Sequence, residues 1–145
     1  MSRACRNYLA NQVARIPADR RKEGFFVGNS IPVVIDDDPQ VALNIMRQSQ
    51  TLYLGLANYR NYWRGVGYVE EMDAIEAALA KGEQDRIPAL MSEKWLKNIT
   101  LFGTASMVRE GIEAYFDMGI MPVIGPVLRE AGAMAHYESV FALYN

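Results

Sequence analysis

The chain of 145 residues has a single cysteine, Cys5, and a single histidine, His136. One cysteine cannot close an internal disulfide, and without His or Cys partners at ligand spacing it marks no metal site. A reducing cytoplasm is therefore the expected setting. His136 lies mid-helix in MAHYES, and neither the cysteine nor any serine stands in a nucleophile context, so a catalytic triad has no support. Long apolar runs are also missing. Ile31–Ile35 and Ile120–Ile124 fall far short of the roughly 18–20 residues that span a bilayer, so no membrane partner is expected. Nor is there an excess of one charge: 15 basic against 17 acidic side chains give −2, with no electrostatic footprint for nucleic acid. The basic N-terminus has the charge of a signal n-region, yet no apolar h-region follows it. Neither GxGxxG nor GxxxxGK[ST] occurs, which leaves Gly103-Thr104, before a helix, as the one anion-binding candidate, and a lone Gly-Thr there is better read as simple capping.

Half of the residues are hydrophobic, and the length suits one domain with a real core. Arg3–Arg15 carries Tyr8, Leu9, Gln12 and Val13 at helical spacing, with Ile16 beyond and Pro17 closing the segment. After the charged link Asp19–Glu23, Phe25–Ile35 is β-rich, and the period of two sets Val27, Ile31, Val33 and Ile35 on one side. Pro32 removes a ladder donor, which predicts a bend or fraying there. Val41, Ile45, Gln48/Ser49, Leu52 and Leu56 form the next stripe, and Glu70–Lys81 is a helix with Met72, Ile75, Ala78 and Leu79 inward and Gly82 as its stop. Shorter helical pieces cover Gln84–Leu90 and Glu93–Asn98, with Ser92 as a cap.

The stretch Ile99–Pro126 reads as strand, capped helix, glycine stop and strand, one unit of a parallel α/β fold. Thr104 caps Ala105–Met118, whose apolar face is Met107/Val108, Gly111/Ile112 and Tyr115/Phe116. Gly119 is the left-handed stop, and Pro122 in Ile120–Ile124 raises the same question as Pro32. A last helix over Val127–Leu143 carries Leu128, Ala131, Ala135, Val140 and Leu143.

Two segments invite chemistry. Asp36-Asp37-Asp38-Pro39 reads as a helix start, with carboxylate cap and proline in the first turn; against the alternative of a metal site, consecutive aspartates cannot all point inward and EF-hand spacing is absent, so no metal is expected. Asn58–Tyr68, NYRNYWRGVGY, interleaves Tyr59, Tyr62, Trp63 and Tyr68 with Arg60 and Arg64. Rings and guanidinium groups so arranged can stack on a planar ligand, or fill a core gap from an amphipathic helix, and one periodic stretch does not separate the two.

The order of these segments resembles the C-terminal part of luciferase-like monooxygenases, flavin- or deazaflavin-dependent TIM-barrel enzymes. Four stretches from about Gly24 onward carry it: Val33–Pro39, VVIDDDP, a late strand entering an aspartate-proline helix start; Thr51–Tyr68, a helical insertion; Leu101–Gly111, LFGTASMVREG, a Gly-Thr helix start; and Met118–Pro126, MGIMPVIGP, a closing strand. The usual Pro-Glu after Gly-Thr is absent, and Pro122 replaces an ordinary strand residue. The resemblance implies an α/β fold, a partial (β/α)8 TIM barrel that is predominantly helical by residue count. Within one partial domain, residues 1–23 are an N-terminal helix and link, 24–57 a strand plus helix, 58–98 the insertion, and 99–145 the closing unit and last helix.

A complete barrel takes roughly 250 residues and eight strands, so the family's N-terminal half, with its main flavin loops and proton-handling residues, is expected elsewhere. Reduced flavin (FMN) or deazaflavin is the implied cofactor and a small organic compound the implied substrate, with the chain expected to be inactive alone. The C-terminal ends of the strands face the site in a barrel, which puts Asp36 and Gly125 at its border and makes Tyr59, Arg60, Tyr62 and Arg64 a wall or lid. The alternative is a non-catalytic helical remnant that acts by self-association or as a partner subunit. Open strand edges predict a homo-oligomer or union with the missing half.

Overall fold

The computed structural model describes residues 3–21, 25–127 and 133–145. The predicted positions Gly24, Leu128 and Ala131 and the side chain of Tyr8 lie outside the described set. The elements are α1 (Arg3–Ala14), β1 (Val27–Ile35), α2 (Pro39–Leu54), α3 (Ala57–Val66), α4 (Val69–Ala80), α5 (Ile87–Leu90), α6 (Glu93–Ile99), β2 (Leu101–Gly103), α7 (Ala105–Phe116), β3 (Ile120–Pro126) and α8 (Ala133–Phe141). The architecture is mixed α/β and mostly helical, built on a three-stranded parallel sheet in the order β2-β1-β3.

Local signals in the sequence set the boundaries. Asp38 caps α2 by accepting from the Gln40 N–H at 2.8 Å, with Pro39 in the first turn. Ser92 caps α6 and Thr104 caps α7 through the N–H groups of Trp95 and Met107. Gly119, at φ +70°, turns the chain out of α7 into β3, a backbone shape that a side chain would strain.

Both faces of the sheet are covered along part of their length. Ile31, Val33, Leu101 and Ile120 join Val108, Ile112 and Tyr115 of α7 in one core, with Leu143, Leu9 and Val13 against it. On the other face Val34 and Phe102 meet α2, α4, α5 and α6 through Met46, Met72, Ile75, Ile87 and Leu96. Val27, Ile31, Val33 and Ile35 do share a side, as the period of two requires. The stripe expected on α2 is rotated. Ala42, Met46, Gln50 and Leu54 are buried, joined by Leu43, while Val41 and Leu52 are exposed. Spacing of four fixes a row but not which row, and small Ala42 presents the surface that fits beneath Val34 and Phe102.

Register explains both prolines. β1 pairs with β3 from Val27↔Ile120 to Val33↔Pro126, but with β2 only from Val33↔Leu101 to Ile35↔Gly103. The Val33 carbonyl accepts from Val127 on the β3 side, and the Asp36 N–H donates to Gly103 on the β2 side. Alternation then aims the main-chain groups of Gly28, Ser30 and Pro32 toward β2, which begins only opposite Val33. The donor that Pro32 lacks falls where no strand stands to receive it. By the same alternation Pro122 and Pro126 turn their missing donors to the outer edge of β3, the side on which proline is tolerated. Both lie within continuous strands, so the bend or fraying expected from the sequence is not seen.

Candidate functional site

Where β2 falls short, a cavity of about 480 Å³ opens beside β1. Ser30 and Asn29 of β1 form its back, Asn98 and Ile99 from the end of α6 its floor, and Tyr59 and Tyr62 of α3 its wall. A second chamber of about 240 Å³ shares Ser30, Tyr59, Trp63 and Ile99 and extends to Gln50 and Trp95. The walls are held by edge-on ring contacts: Tyr53 to Tyr59 at 5.3 Å, Tyr62 to Trp63 at 4.7 Å, and Trp63 to Trp95 at 5.8 Å. Asn98 is buried and donates to the Tyr68 hydroxyl, which ties the end of α6 to the loop after α3. Neither chamber has a charged side chain in its lining.

The six residues singled out from the sequence part company here. Tyr59 and Tyr62 come together on the cavity wall. Arg60 and Arg64 turn to the other side of α3. Arg60 is buried and donates through Nη1 to the Leu54 carbonyl at 2.7 Å, with Nη2 3.9 Å from Glu76. Arg64 bonds to Asp73 at 2.8 Å and to Glu76. These two carboxylates, Glu76 first, raise the Arg64 pKa above its ordinary value. The aromatic half of the segment thus lines a concave surface, and the cationic half fastens α3 to α2 and α4.

Asp36 lies past the end of β1, where its carboxylate accepts from the Asp38 N–H at 3.0 Å and shapes the turn into α2. Gly125 sits in β3 opposite Pro32. With Asp38 serving as the cap, the run Asp36–Asp38 acts as a helix start, and no metal-binding group of His, Cys, Asp or Glu occurs among the described residues. The first turn of α7 is likewise occupied by its own cap, Thr104.

Sequence reading missed Ser30, Gln50, Trp95 and Asn98. Polar Asn29-Ser30 within a β run, two positions before a proline, was the available signal. Trp95 is 1 % exposed, and its indole nitrogen has no hydrogen-bond partner. Trp95 and the buried Gln50 both line the smaller chamber.

No helix among the described residues is long and apolar enough to cross a membrane. No curated protein and no solved structure matches the chain. The family model for luciferase-like monooxygenases matches residues 3–121. The match begins at α1, well before the segments that carry the resemblance in the sequence, and ends at the start of β3. It spans most of the chain, so this protein belongs to the luciferase-like monooxygenase family.

Proposed function

We propose that this chain forms part of a flavin- or deazaflavin-dependent oxidoreductase acting on a small organic substrate, and that it does not turn over alone. Family membership supports the coarse chemistry, a monooxygenase or related oxidoreductase. In this reading β1 and β3, parallel neighbours over seven registered pairs with α7 and α8 packed on one side, are adjacent strands of a barrel wall. A barrel's consecutive strands are neighbours with the helices outside, so β2, three residues long and on the far side of β1, is an added strand rather than a stave.

The observation that carries the inactivity is the lack of an anion clamp in the cavity. Its aromatic walls suit a flat ring system, but a flavin's phosphate needs cations or several converging N–H groups, and no charged side chain lines either chamber. Arg60 and Arg64 are bonded within the fold, and the strand ends present Asp36–Asp38. The described residues therefore fit the ring and not the phosphate, and the phosphate falls to other parts of a complete enzyme. When bound, the cofactor supplies the redox chemistry, and this chain supplies walls and strand edges.

A second reading, self-association without catalysis, rests on one patch. The Phe26 ring and the Val123 methyl flank Gly28, and Phe26 and Val123 are 68 % and 51 % exposed, with Phe25 and Met121 nearby. Flavin fluorescence during titration of the purified chain with FMN, paired with light-scattering mass, separates the readings. We expect no stoichiometric binding by the monomer. Tight, stoichiometric quenching by a monomer overturns the proposal, and a dimer indifferent to flavin favours the second reading.

A further inference from the structure

We propose that the cavity beside β1 binds a neutral, planar aromatic compound whose ring edge carries a lactam-type pair, one donor next to one acceptor. Three observations converge, of which the second, the aromatic wall, is shared with the flavin reading and the other two are independent of it. The first is the unspent strand edge. Ser30 turns its N–H and C=O toward the β2 side, where β2 has not yet begun, and among the described residues no hydrogen bond takes either. A donor and an acceptor on one strand residue are what a neighbouring strand would engage, and a flat ring with the complementary pair on one edge engages them in the same plane.

The second is the wall. Tyr59 and Tyr62 are 37 % and 44 % exposed on α3, and Trp63 lines both chambers. Rings fixed by edge contacts to their neighbours offer area for stacking at little entropic cost. The combined space lies within the range of small-molecule sites, roughly 300–1,000 Å³.

The third is the chemistry of the remaining lining. It holds amides and hydroxyls with no charged side chain, so an anion or cation entering it would lose hydration without an ionic partner. The inner chamber is lined by Trp95, whose indole nitrogen is buried and unpartnered, and by the buried Gln50. An orphaned buried donor is costly in an empty site and is relieved by an acceptor brought in by a ligand.

The test uses the full chain and carbostyril, a neutral bicyclic lactam, read by the indole N–H resonances of the two tryptophans, Trp63 and Trp95, both of which line the site. Saturable shifts of both resonances are expected, with a dissociation constant of about 0.1–1 mM for so small a ligand. N-methyl carbostyril, which lacks the donor, and the anion quinaldate should bind at least about tenfold more weakly. Ser30→Pro deletes the N–H that faces no strand and should weaken carbostyril by about tenfold. Tyr59→Leu and Tyr62→Leu, at exposed positions, should do the same with the fold intact, and they decide the matter if Ser30→Pro does not fold. Unmoved resonances at about 2 mM carbostyril, equal binding of the N-methyl compound, or indifference to both tyrosine changes overturns the proposal.

Discussion

Replacing Arg60 by alanine asks whether the cationic half of α3 is part of the fold or free for a ligand. Its guanidinium reaches back from α3 to the Leu54 carbonyl at 2.7 Å, at the end of α2, where carbonyls have no partner within the helix. A hydrogen bond from a charged donor contributes about 1.5–3 kcal/mol, and leaving a buried carbonyl unpaired costs about 1–3 kcal/mol, two descriptions that overlap rather than add. The Glu76 contact, 3.9 Å long and half exposed on the acidic side, adds at most about 1 kcal/mol. Against this, the Arg60 Nε is buried without a partner, and its removal returns about 1 kcal/mol of desolvation. The net expectation is a loss of about 1–3 kcal/mol.

In urea that loss lowers the unfolding midpoint by about 0.5–1.5 M, followed through tryptophan emission because Trp63 and Trp95 sit beside the affected junction. Arg64→Ala is the internal comparison. Its partners Asp73 and Glu76 are more than half exposed, so solvent screening should leave it costing clearly less than Arg60→Ala. An Arg60→Ala unfolding free energy within about 0.5 kcal/mol of the parent, or a smaller effect than Arg64→Ala, refutes the reasoning and returns Arg60 to the candidates for ligand contact.

Gly111→Ala should destabilise. A Cβ there would lie 2.4 Å from a Leu101 methyl, and about 1–3 kcal/mol of overpacking outweighs about 1 kcal/mol gained in helix propensity, as a thermal melt would record. Pro122→Val combined with Pro126→Val restores two outward donors to the edge of β3, and light scattering should report more self-association at equal concentration. Burial, and then Glu113, raises the Tyr144 pKa against an opposing Arg109. The folded chain therefore holds this proton more tightly than the unfolded one. The resulting stability is complete below a pH of about 10 and is lost as pH rises through the folded value. Tyr144 is 60 % exposed, so solvent screening keeps the effect small, and Tyr144→Phe should flatten the alkaline fall in urea midpoint only slightly.

What the sequence made legible is what neighbours in sequence decide. Asp38, Ser92 and Thr104 cap helices through N–H groups two or three residues away, and Gly119 ends α7 through its own φ. The inward face of α4, Met72, Ile75 and Ala78, follows from spacing alone because the opposite face is charged. The face of α2 does not. Apolar residues occupy more than one of its rows, and the choice of Ala42–Met46–Gln50–Leu54 depends on Val34 and Phe102 beneath them. Arg60 and Arg64 were read with the tyrosines because all four share one segment. Their carboxylate partners belong to α4, and no local pattern announces that pairing.

The prolines join the two halves of this account. In a strand each removes one donor, and the uncertainty was whether the chain would bend around the loss. Instead the register aims every lost donor at a side without a strand: Pro32 at the gap beyond β2, Pro122 and Pro126 at the outer edge of β3. Proline therefore marks where the sheet stops. On β3 the stop blunts an exposed edge. On β1 the neighbouring residue facing the same gap is Ser30, which keeps both its N–H and its C=O, with Tyr59 and Tyr62 across from it. The cavity exists because β2 begins late, and Pro32 makes that late start tolerable at the cost of one donor no strand would have used.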